Sequence, residues 1–480
     1  MRHLRRIPRA AVAAALAAVM SGLAVADDRG SLPALLRFPD ASGVAATYST
    51  LGPMDLNGPF FHVFGTNGRS CATCHAPETG WTVTPASLQR RFAATGGTDP
   101  IFRTVDGSVS PNADVSSVAA RLVAYNMLLK KGLIRVGIGI PANAEFTLVA
   151  VNDPYGFASA TQLSLFRRPV PSTNLGFIST VMEDGRETFV DPSSTDCIMG
   201  TTTCFASIHF DLADQANGAT TGHAQAAQPL TPAQQDAIVM FESSLYTAQV
   251  FDAAAGNLTA RHAQGGPIAL SGMPFYFGIN DAISGDYRTG APFTPDVFTL
   301  YASWDEVGHH PPDSGETVDR SSARAAVARG EALFDSKPIT ITGVGGLNDA
   351  LDMPVIHGTC STCHDSPNAG SHSIPAPLDI GVADASRRTP DMPLYTLQHT
   401  SAPFETVQTT DHGRALITGK WKDIGRFKGP TLRALATRAP YFHNGSAPDL
   451  AAVVDFYNQR FGIGFTQQEK DDLVAFLRTL

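Results

Sequence analysis

Two short stretches constrain this chain more than any other feature: Cys71-Ala72-Thr73-Cys74-His75 and Cys360-Ser361-Thr362-Cys363-His364. Both follow the pattern Cys-x-x-Cys-His, in which the two thiols can each add to one vinyl group of a porphyrin. The His that follows directly then lies beneath the porphyrin iron as its ligand. Two copies of the pattern therefore predict two covalently bound c-type haems.

Other uses of these cysteines fit the sequence less well. A zinc site would need two further ligands near each motif, and a thioredoxin-like site would need a βαβ context. Neither is found around the motifs. Cys197 and Cys204, the remaining cysteines, have no His behind them, and in an oxidising compartment they predict a disulfide that closes a small loop.

The first 26 residues are typical of a secretory signal peptide. They begin with several arginines, continue with an apolar run over residues 10–23, and end in Ala24-Val25-Ala26. A membrane anchor would need about 20 apolar residues, and this run is too short. We therefore expect an exported protein, located in a bacterial periplasm, without a membrane span.

Charge and composition narrow the function class further. The formal net charge is −9 and no basic stripe is present, which argues against nucleic-acid binding. The chain has 43 glycines and 33 prolines, which predict long ordered loops around helices of modest length.

A second internal repeat supports two related units. Thr231 with Gln234, and Thr466 with Glu469, each predict a capping box at the start of an amphipathic helix. Further positions match at the same spacing: Asp236/Asp471, Val239/Val474, Phe241/Phe476 and Leu245/Leu480.

We expect a mainly α fold of two cytochrome c-like domains, each with one covalently bound c-type haem, with long loops and a few short strands. The predicted divisions are residues 27–260, a crossing segment 261–320, and residues 321–480.

Two further motifs are Phe427-Lys-Gly-Pro-Thr-Leu-Arg433 and Ala439-Pro-Tyr-Phe-His443-Asn-Gly-Ser446. With them the chain resembles the bacterial di-haem cytochrome c peroxidases, including the MauG branch. The resemblance implies a peroxidatic haem on His75 and an electron-relaying haem on His364. It also implies that Arg433 and His443 lie at the second haem.

The far-side ligand of the relay haem is implied by the same resemblance. The family places it fourteen residues after the position of His443, where this chain has Tyr457. Peroxidases have a Met there and MauG-like proteins a Tyr. Tyr457 lies one helical turn after Val453 and Val454, so it can face inward. The alternatives are a core tyrosine with a bonded hydroxyl, or ligation by Met392 or Met353.

The resemblance also suggests acid–base residues at the first haem. No His occurs between His75 and His209, so the site is expected to stay open. The family uses a Gln and a Glu, and the matching positions are Gln215 and Gln225. Since Gln225 cannot transfer a proton, His223 is the candidate for that step. The alternative is that residues 211–225, which lack a core period, form a solvated loop.

Two positions depart from the family pattern. Glu183 stands where the family has a Trp between the haems, and it is either a proton-active residue near haem or a surface carboxylate. The family's calcium ion between the domains is expected near Pro440, although Arg438 replaces a Thr and Arg168-Pro169 replaces an Asn.

Taken together, these features predict a periplasmic peroxidase that reduces hydrogen peroxide at the first haem with electrons relayed by the second. The electron donor would be a small cytochrome c, a cupredoxin or a protein substrate. Members of the family often form homodimers, so the resemblance is compatible with a homodimer. Two alternatives stay open: a di-haem electron-transfer cytochrome, and a di-haem oxygenase acting on an organic or protein substrate.

Overall fold

The structure is a computed structural model that describes residues 30–188, 196–197, 204–205, 208–309 and 317–480. Helices and strands are mixed along the chain, and long loops join them. Strands are more numerous than the sequence predicted. The predicted signal peptide lies outside the described residues. Within those ranges, no helix combines the length and the apolar character needed to cross a bilayer.

The α-helices differ widely in length. They are α1 (Pro85–Thr95), α2 (Val118–Ala124), α3 (Asn126–Lys131), α4 (Ile208–Gly222), α5 (Pro232–Ser243), α6 (Pro267–Ser271), α7 (Val318–Ser336), α8 (Ala415–Thr418), α9 (Leu450–Phe461) and α10 (Gln467–Leu477). Short 3-10 helices lie at Pro59–Phe61, Cys71–Thr73, Pro77–Thr79, Leu175–Phe177, Ala260–His262, Ala302–His309, Cys360–Thr362, Ala385–Arg387, Trp421–Asp423 and Leu435–Thr437.

The strands are short and all pair antiparallel. They are β1 (Ser31–Leu32), β2 (Leu35–Pro39), β3 (Gly43–Ser49), β4 (Met54–Asp55), β5 (Ile134–Val136), β6 (Phe146–Asn152), β7 (Leu165–Arg167), β8 (Asp196–Cys197), β9 (Cys204–Phe205), β10 (Leu245–Asp252), β11 (Gly256–Asn257), β12 (Ile339–Thr342), β13 (Val355–Gly358), β14 (Leu394–His399) and β15 (Thr406–Thr409). The larger sheets have the orders β11-β10-β3-β2 and β15-β14-β6, and the rest are two-stranded.

The two predicted twin helices are present with the same caps. In α5 the Thr231 hydroxyl accepts from the Gln234 backbone N–H, and in α10 Thr466 accepts in the same way from Glu469. Both boxes are completed by the Gln or Glu side chain, which accepts from the cap's backbone N–H. The two predicted capping boxes are therefore confirmed.

Two strand pairings connect distant parts of the chain. β3 pairs with β10, and the hydroxyls of Thr47 and Thr247 share a 2.8 Å hydrogen bond inside that sheet. β6 pairs with β14, which joins the N-terminal half to the C-terminal half. The halves are thus linked through one shared sheet, β15-β14-β6, as well as through the crossing segment.

Hydrophobic clusters surround both Cys-x-x-Cys-His motifs. Cys71 packs against a cluster that contains Phe60 and Trp81, and Cys74 packs against another that contains Phe92. The largest cluster lies in the C-terminal half, where α7 and α10 pack together and Cys360 borders it.

Two local expectations have different outcomes. Residues 211–222 belong to α4, so the solvated-loop alternative is wrong for them; Leu212, Ala216 and Thr220 are buried at helical spacing. Cys197 and Cys204 are Cα partners in the β8–β9 pair. Their side chains lie outside the described residues, so the disulfide stays a prediction.

Candidate haem sites

The two Cys-x-x-Cys-His motifs have the same local structure. Each begins as one turn of 3-10 helix, Cys71–Thr73 or Cys360–Thr362. The residue before the first Cys forms a capping box with the Thr of the motif in both cases. This common turn fixes both thiols and the following His on a compact support.

The two histidines are held in the same orientation. His75 Nδ1 lies 2.9 Å from the Trp81 carbonyl oxygen, and His364 Nδ1 lies 2.7 Å from that of Gly370. Because a carbonyl only accepts, Nδ1 carries the proton and Nε2 has a free lone pair for a metal. Burial lowers the pKa of both rings, against the raising effect of these bonds, and so favours neutral imidazole.

The four motif cysteines are unpaired. Burial raises the pKa to about 12 for Cys71, Cys360 and Cys363, and to about 11 for Cys74. Such thiols are not poised as thiolate nucleophiles or as a redox-active pair. Their place beside an oriented His fits thioether attachment of haem.

A cavity of about 280 Å³ lies beside the second motif. Cys360, Cys363 and His364 line it together with Tyr457 of α9, and most of the remaining wall is apolar. Burial raises the pKa of Tyr457, and the nearby thiols of Cys363 and Cys360 raise it further. The structure gives the phenol no hydrogen-bond partner among the described residues, so its oxygen is available to a ligand in the cavity.

Basic side chains line part of the same cavity. Arg168, Lys428 and Arg438 line it, whereas Glu183 is the one acidic residue of the lining. Burial lowers the pKa of both arginines to about 10, and the neighbouring Arg438 contributes to this at Arg168. Buried cations need counter-charges. Three positive charges and one negative charge leave a net charge of +2, which matches the two negative propionates of a haem. The residues present therefore fit this group.

The predicted pocket residues Arg433 and His443 have different places. His443 lines the cavity and stacks on Phe427 with ring centroids 3.9 Å apart. Arg433 is buried outside the lining, and its Nε donates to the Asn368 carbonyl at 2.6 Å. Arg433 therefore supports the loop that follows His364, which contains the acceptor Gly370.

Near the first motif, His223 forms a dyad that the sequence did not reveal. Its Nδ1 lies 2.5 Å from the Asp106 carboxylate, which also pairs with Arg69 at 2.7 Å. Burial would raise the pKa of Asp106, but the bond to His223 and the Arg69 charge outweigh it and lower the pKa. Arg69, two residues before Cys71, also donates to the His223 carbonyl at 3.2 Å, so the dyad lies beside the first motif.

The loop before the first motif holds this dyad in place. Asn67 Nδ2 donates to the His223 carbonyl at 2.8 Å and to Gln225 Oε1 at 3.2 Å. Gly65 approaches so closely that a Cβ there would lie 1.6 Å from the Ala224 carbonyl oxygen. Any larger residue at this position would force the two segments apart.

The other predicted site residues are distributed as follows. Gln225 is exposed, and its side-chain oxygen accepts a hydrogen bond from Asn67. Gln215 is half-buried on α4, two turns before His223. Glu183 is not a surface carboxylate but lines the cavity of the second motif. The structure thus brings His223 and Gln225 together and places Glu183 at the other site.

The predicted calcium position is partly occupied by protein groups. Arg168 donates to the carbonyl oxygens of Lys131, Val83 and Arg438 at 2.6, 2.9 and 3.0 Å. No group of three or more His, Cys, Asp or Glu side chains in the described ranges is placed to hold a metal ion. Calcium between the halves stays a prediction.

Cytochrome c peroxidases are among the known proteins that this chain is similar to. No family model matches the chain. Cytochrome-c peroxidase IdrP1 of Pseudomonas sp. (strain SCT) is 28% identical over 224 residues, which cover 42% of this chain and 53% of that protein. Cytochrome c551 peroxidase of Nitrosomonas europaea is 26% identical over 307 residues, covering 62% and 79%.

The chain is similar to bacterial cytochrome c peroxidases over part of its length. It spans about half the length of the first curated relatives that it matches, 53% and 44%. Among solved structures, a MauG-like protein associated with microbial copper homeostasis covers 67% of this chain and 77% of its own, with 16% identity and a TM-score of 0.30. That score is too low to carry an argument about fold or function.

Proposed function

We propose that the chain is a periplasmic peroxidase with one c-type haem on each Cys-x-x-Cys-His motif, carried by cytochrome c-like domains at residues 27–260 and 321–480. It reduces hydrogen peroxide at the first haem with electrons that pass through the second. The family supports peroxide and a small electron-donor protein as reactants. The signal-peptide pattern supports the periplasm.

One observation carries the assignment of the two sites. Each motif has a His–carboxylate pair nearby, but the His223 side chain is 42% exposed while that of His372, paired with Asp365, is 4% exposed. A small molecule can reach an imidazole near His75 and cannot reach one near His364. The first site is therefore the better place for a substrate.

The residues at the first site suit proton transfer to peroxide. Reduction of one hydrogen peroxide to two waters consumes two electrons and two protons, and haem iron held by His75 Nε2 supplies the redox chemistry. Because Asp106 accepts from Nδ1–H, His223 Nε2 is free to take a proton from one peroxide oxygen and return it to the other. Arg69 holds Asp106 in position through their buried ion pair.

The second site suits electron relay. His364 and Tyr457 line one cavity, and His364 Nε2 and the Tyr457 oxygen would both be ligands of a haem bound there. An anionic phenolate stabilises the oxidised metal, so this ligand favours a low potential. The reductant would be a small cytochrome c, a cupredoxin, or a protein side chain oxidised at long range.

The proposal is tested by adding one equivalent of hydrogen peroxide to the resting protein that carries both haems. We expect two haems per chain by pyridine haemochrome, one high-spin and one low-spin ferric signal, and a change of the haem spectrum on adding peroxide. Two low-spin signals and no spectral change would favour the electron-carrier alternative.

Asp106→Asn tests the dyad. An Asn can donate to Nδ1 and so reverse the tautomer of His223, which removes the free base at Nε2. We expect peroxide turnover to fall by roughly 10²–10⁴-fold, the usual value of general acid–base catalysis. Asp99→Asn is the matched control, since Asp99 pairs with Arg91 in the same region without touching His223. His223→Gln keeps the Arg69–Asp106 pair and should lose as much turnover as Asp106→Asn.

A further inference from the structure

Glu183 is an acidic group in an otherwise apolar and basic cavity. Its backbone carbonyl accepts from the Lys428 N–H at 2.9 Å, which places the two residues side by side on the wall. Its carboxyl group has no hydrogen-bond partner among the described residues. A buried carboxyl without such partners is held only by the charges around it.

The charges that act on Glu183 come from several elements. They are the cations Lys428, Arg167, Arg168 and Arg438 and the carboxylates Asp184 and Asp411. Arg167 is already bonded to both of these carboxylates. Arg168 and Arg438 donate to backbone carbonyls and line the part of the cavity that fits propionates. Lys428 is therefore the partner most specific to Glu183.

Opposing effects set the proton affinity of this pair. Burial raises the pKa of Glu183, while Lys428 and Arg167 lower it. Burial lowers the pKa of Lys428, while Glu183 raises it. A further negative charge in the cavity therefore shifts the carboxyl group towards its protonated form, because Coulomb energies are large in a buried site.

We propose that Glu183 is a redox-linked proton site: it takes up a proton when the haem on His364 gains an electron and releases it when that electron leaves. The inference rests on the proposed function, which places a haem in this cavity. One electron enters the iron and one proton joins the carboxylate, so the total charge inside the cavity is unchanged. Electron relay at this site is then coupled to proton transfer.

The coupling is measured by potentiometric titration of the low-spin haem in the holoprotein, followed by its absorption spectrum. The titration is repeated at several pH values above the ordinary range of a carboxyl group, because burial raises the pKa of Glu183. Where the carboxyl group titrates, the wild-type potential should fall by up to about 59 mV per pH unit, the one-electron equivalent of a tenfold change in proton activity. Glu183→Gln should make the potential nearly independent of pH.

Glu187→Gln is the matched control. Burial also raises the pKa of Glu187, to about 6, but this residue does not line the cavity. This variant should keep the wild-type slope. Lys428→Met removes the main opposing charge and should move the sloping range to higher pH.

The outcomes separate this inference from the proposed function. A wild-type potential that is constant over the whole range, or a Glu183→Gln variant with the wild-type slope, overturns the inference alone. A protein with one haem per chain, or a holoprotein whose spectrum has no low-spin haem signal, overturns the proposed function and with it this inference. A slope that only Glu183→Gln abolishes supports both.

Discussion

Arg167 is the residue whose replacement we expect to cost the most stability. Its guanidinium bonds to Asp184, and to the two carboxylate oxygens of Asp411 at 2.7 and 2.8 Å. The three side chains are at most 3% exposed. The bonds join a strand of the N-terminal half to a loop of the C-terminal half.

The expected loss of stability depends on which cationic partners Asp184 and Asp411 keep when Arg167 is replaced. In Arg167→Met, Asp184 retains Arg186 at 3.1 Å, whereas the nearest remaining cationic partner of Asp411 is His443 at 3.8 Å. Burial lowers the pKa of His443 to about 4, so that ring is neutral near pH 7. Leaving one buried charge unpaired costs about 3–5 kcal/mol. Arg186→Met is the control, with an expected loss of about 1 kcal/mol or less because Arg167 still pairs with Asp184.

The loss should depend on pH with a definite sign. Burial raises the pKa of Asp411, but Arg167 outweighs it and holds the pKa at about 2. A lowered carboxyl pKa stabilises the folded state above the unfolded value near 4, and this stabilisation disappears as the pH falls towards 2. In Arg167→Met the bond from the Gly413 N–H still opposes burial but the Arg167 charge does not, so the cost is largest at neutral pH and shrinks as the pH falls.

Urea unfolding of the holoprotein, followed by circular dichroism at pH 7 and at about pH 4.5, measures this difference. Equal slopes for wild type and variant are needed before the midpoints are compared. An Arg167→Met protein within about 1 kcal/mol of wild type at pH 7, or a loss that is the same at both pH values, would refute the reasoning.

Three further predictions concern other parts of the chain. Tyr457→Phe should change the low-spin haem spectrum and leave the high-spin signal as it is; an unchanged low-spin signal would show that another residue is the ligand. Gly65→Ala should destabilise by about 1–3 kcal/mol or more, because its Cβ would lie 1.6 Å from the Ala224 carbonyl oxygen. Gly218→Ala on α4 meets no atom within 4 Å and should stabilise by roughly 0.5–1 kcal/mol, as judged from thermal unfolding of both variants.

Much of the local structure follows from short-range patterns. The capping boxes at Thr231 and Thr466 depend only on residues three positions apart, and the structure confirms both. The Cys-x-x-Cys-His turns are equally local. The α4 helix was missed because its buried positions include Ala216 and Thr220, which add little to a hydrophobic pattern.

Sites assembled from distant segments were beyond the reach of the sequence. The Asp106–His223 pair spans 117 positions, and no local pattern marks Asp106 as its acceptor. The cavity likewise joins Arg168 and Glu183 to Lys428 and Arg438, which lie in the other half of the chain. A sequence pattern can show that a residue suits a role, but not which distant charge will stand beside it.

The sequence by itself determined the two attachment motifs, the repeated capped helix and the resemblance to cytochrome c peroxidases, because each depends on residue types at fixed short spacing. Only the tertiary structure decided that His223 is backed by Asp106, that Arg168 bonds to three carbonyl groups, and that Glu183 lines a cavity instead of facing solvent. The physical reason is that burial and long-range charge, which set the chemistry of these groups, exist only once distant segments are packed together.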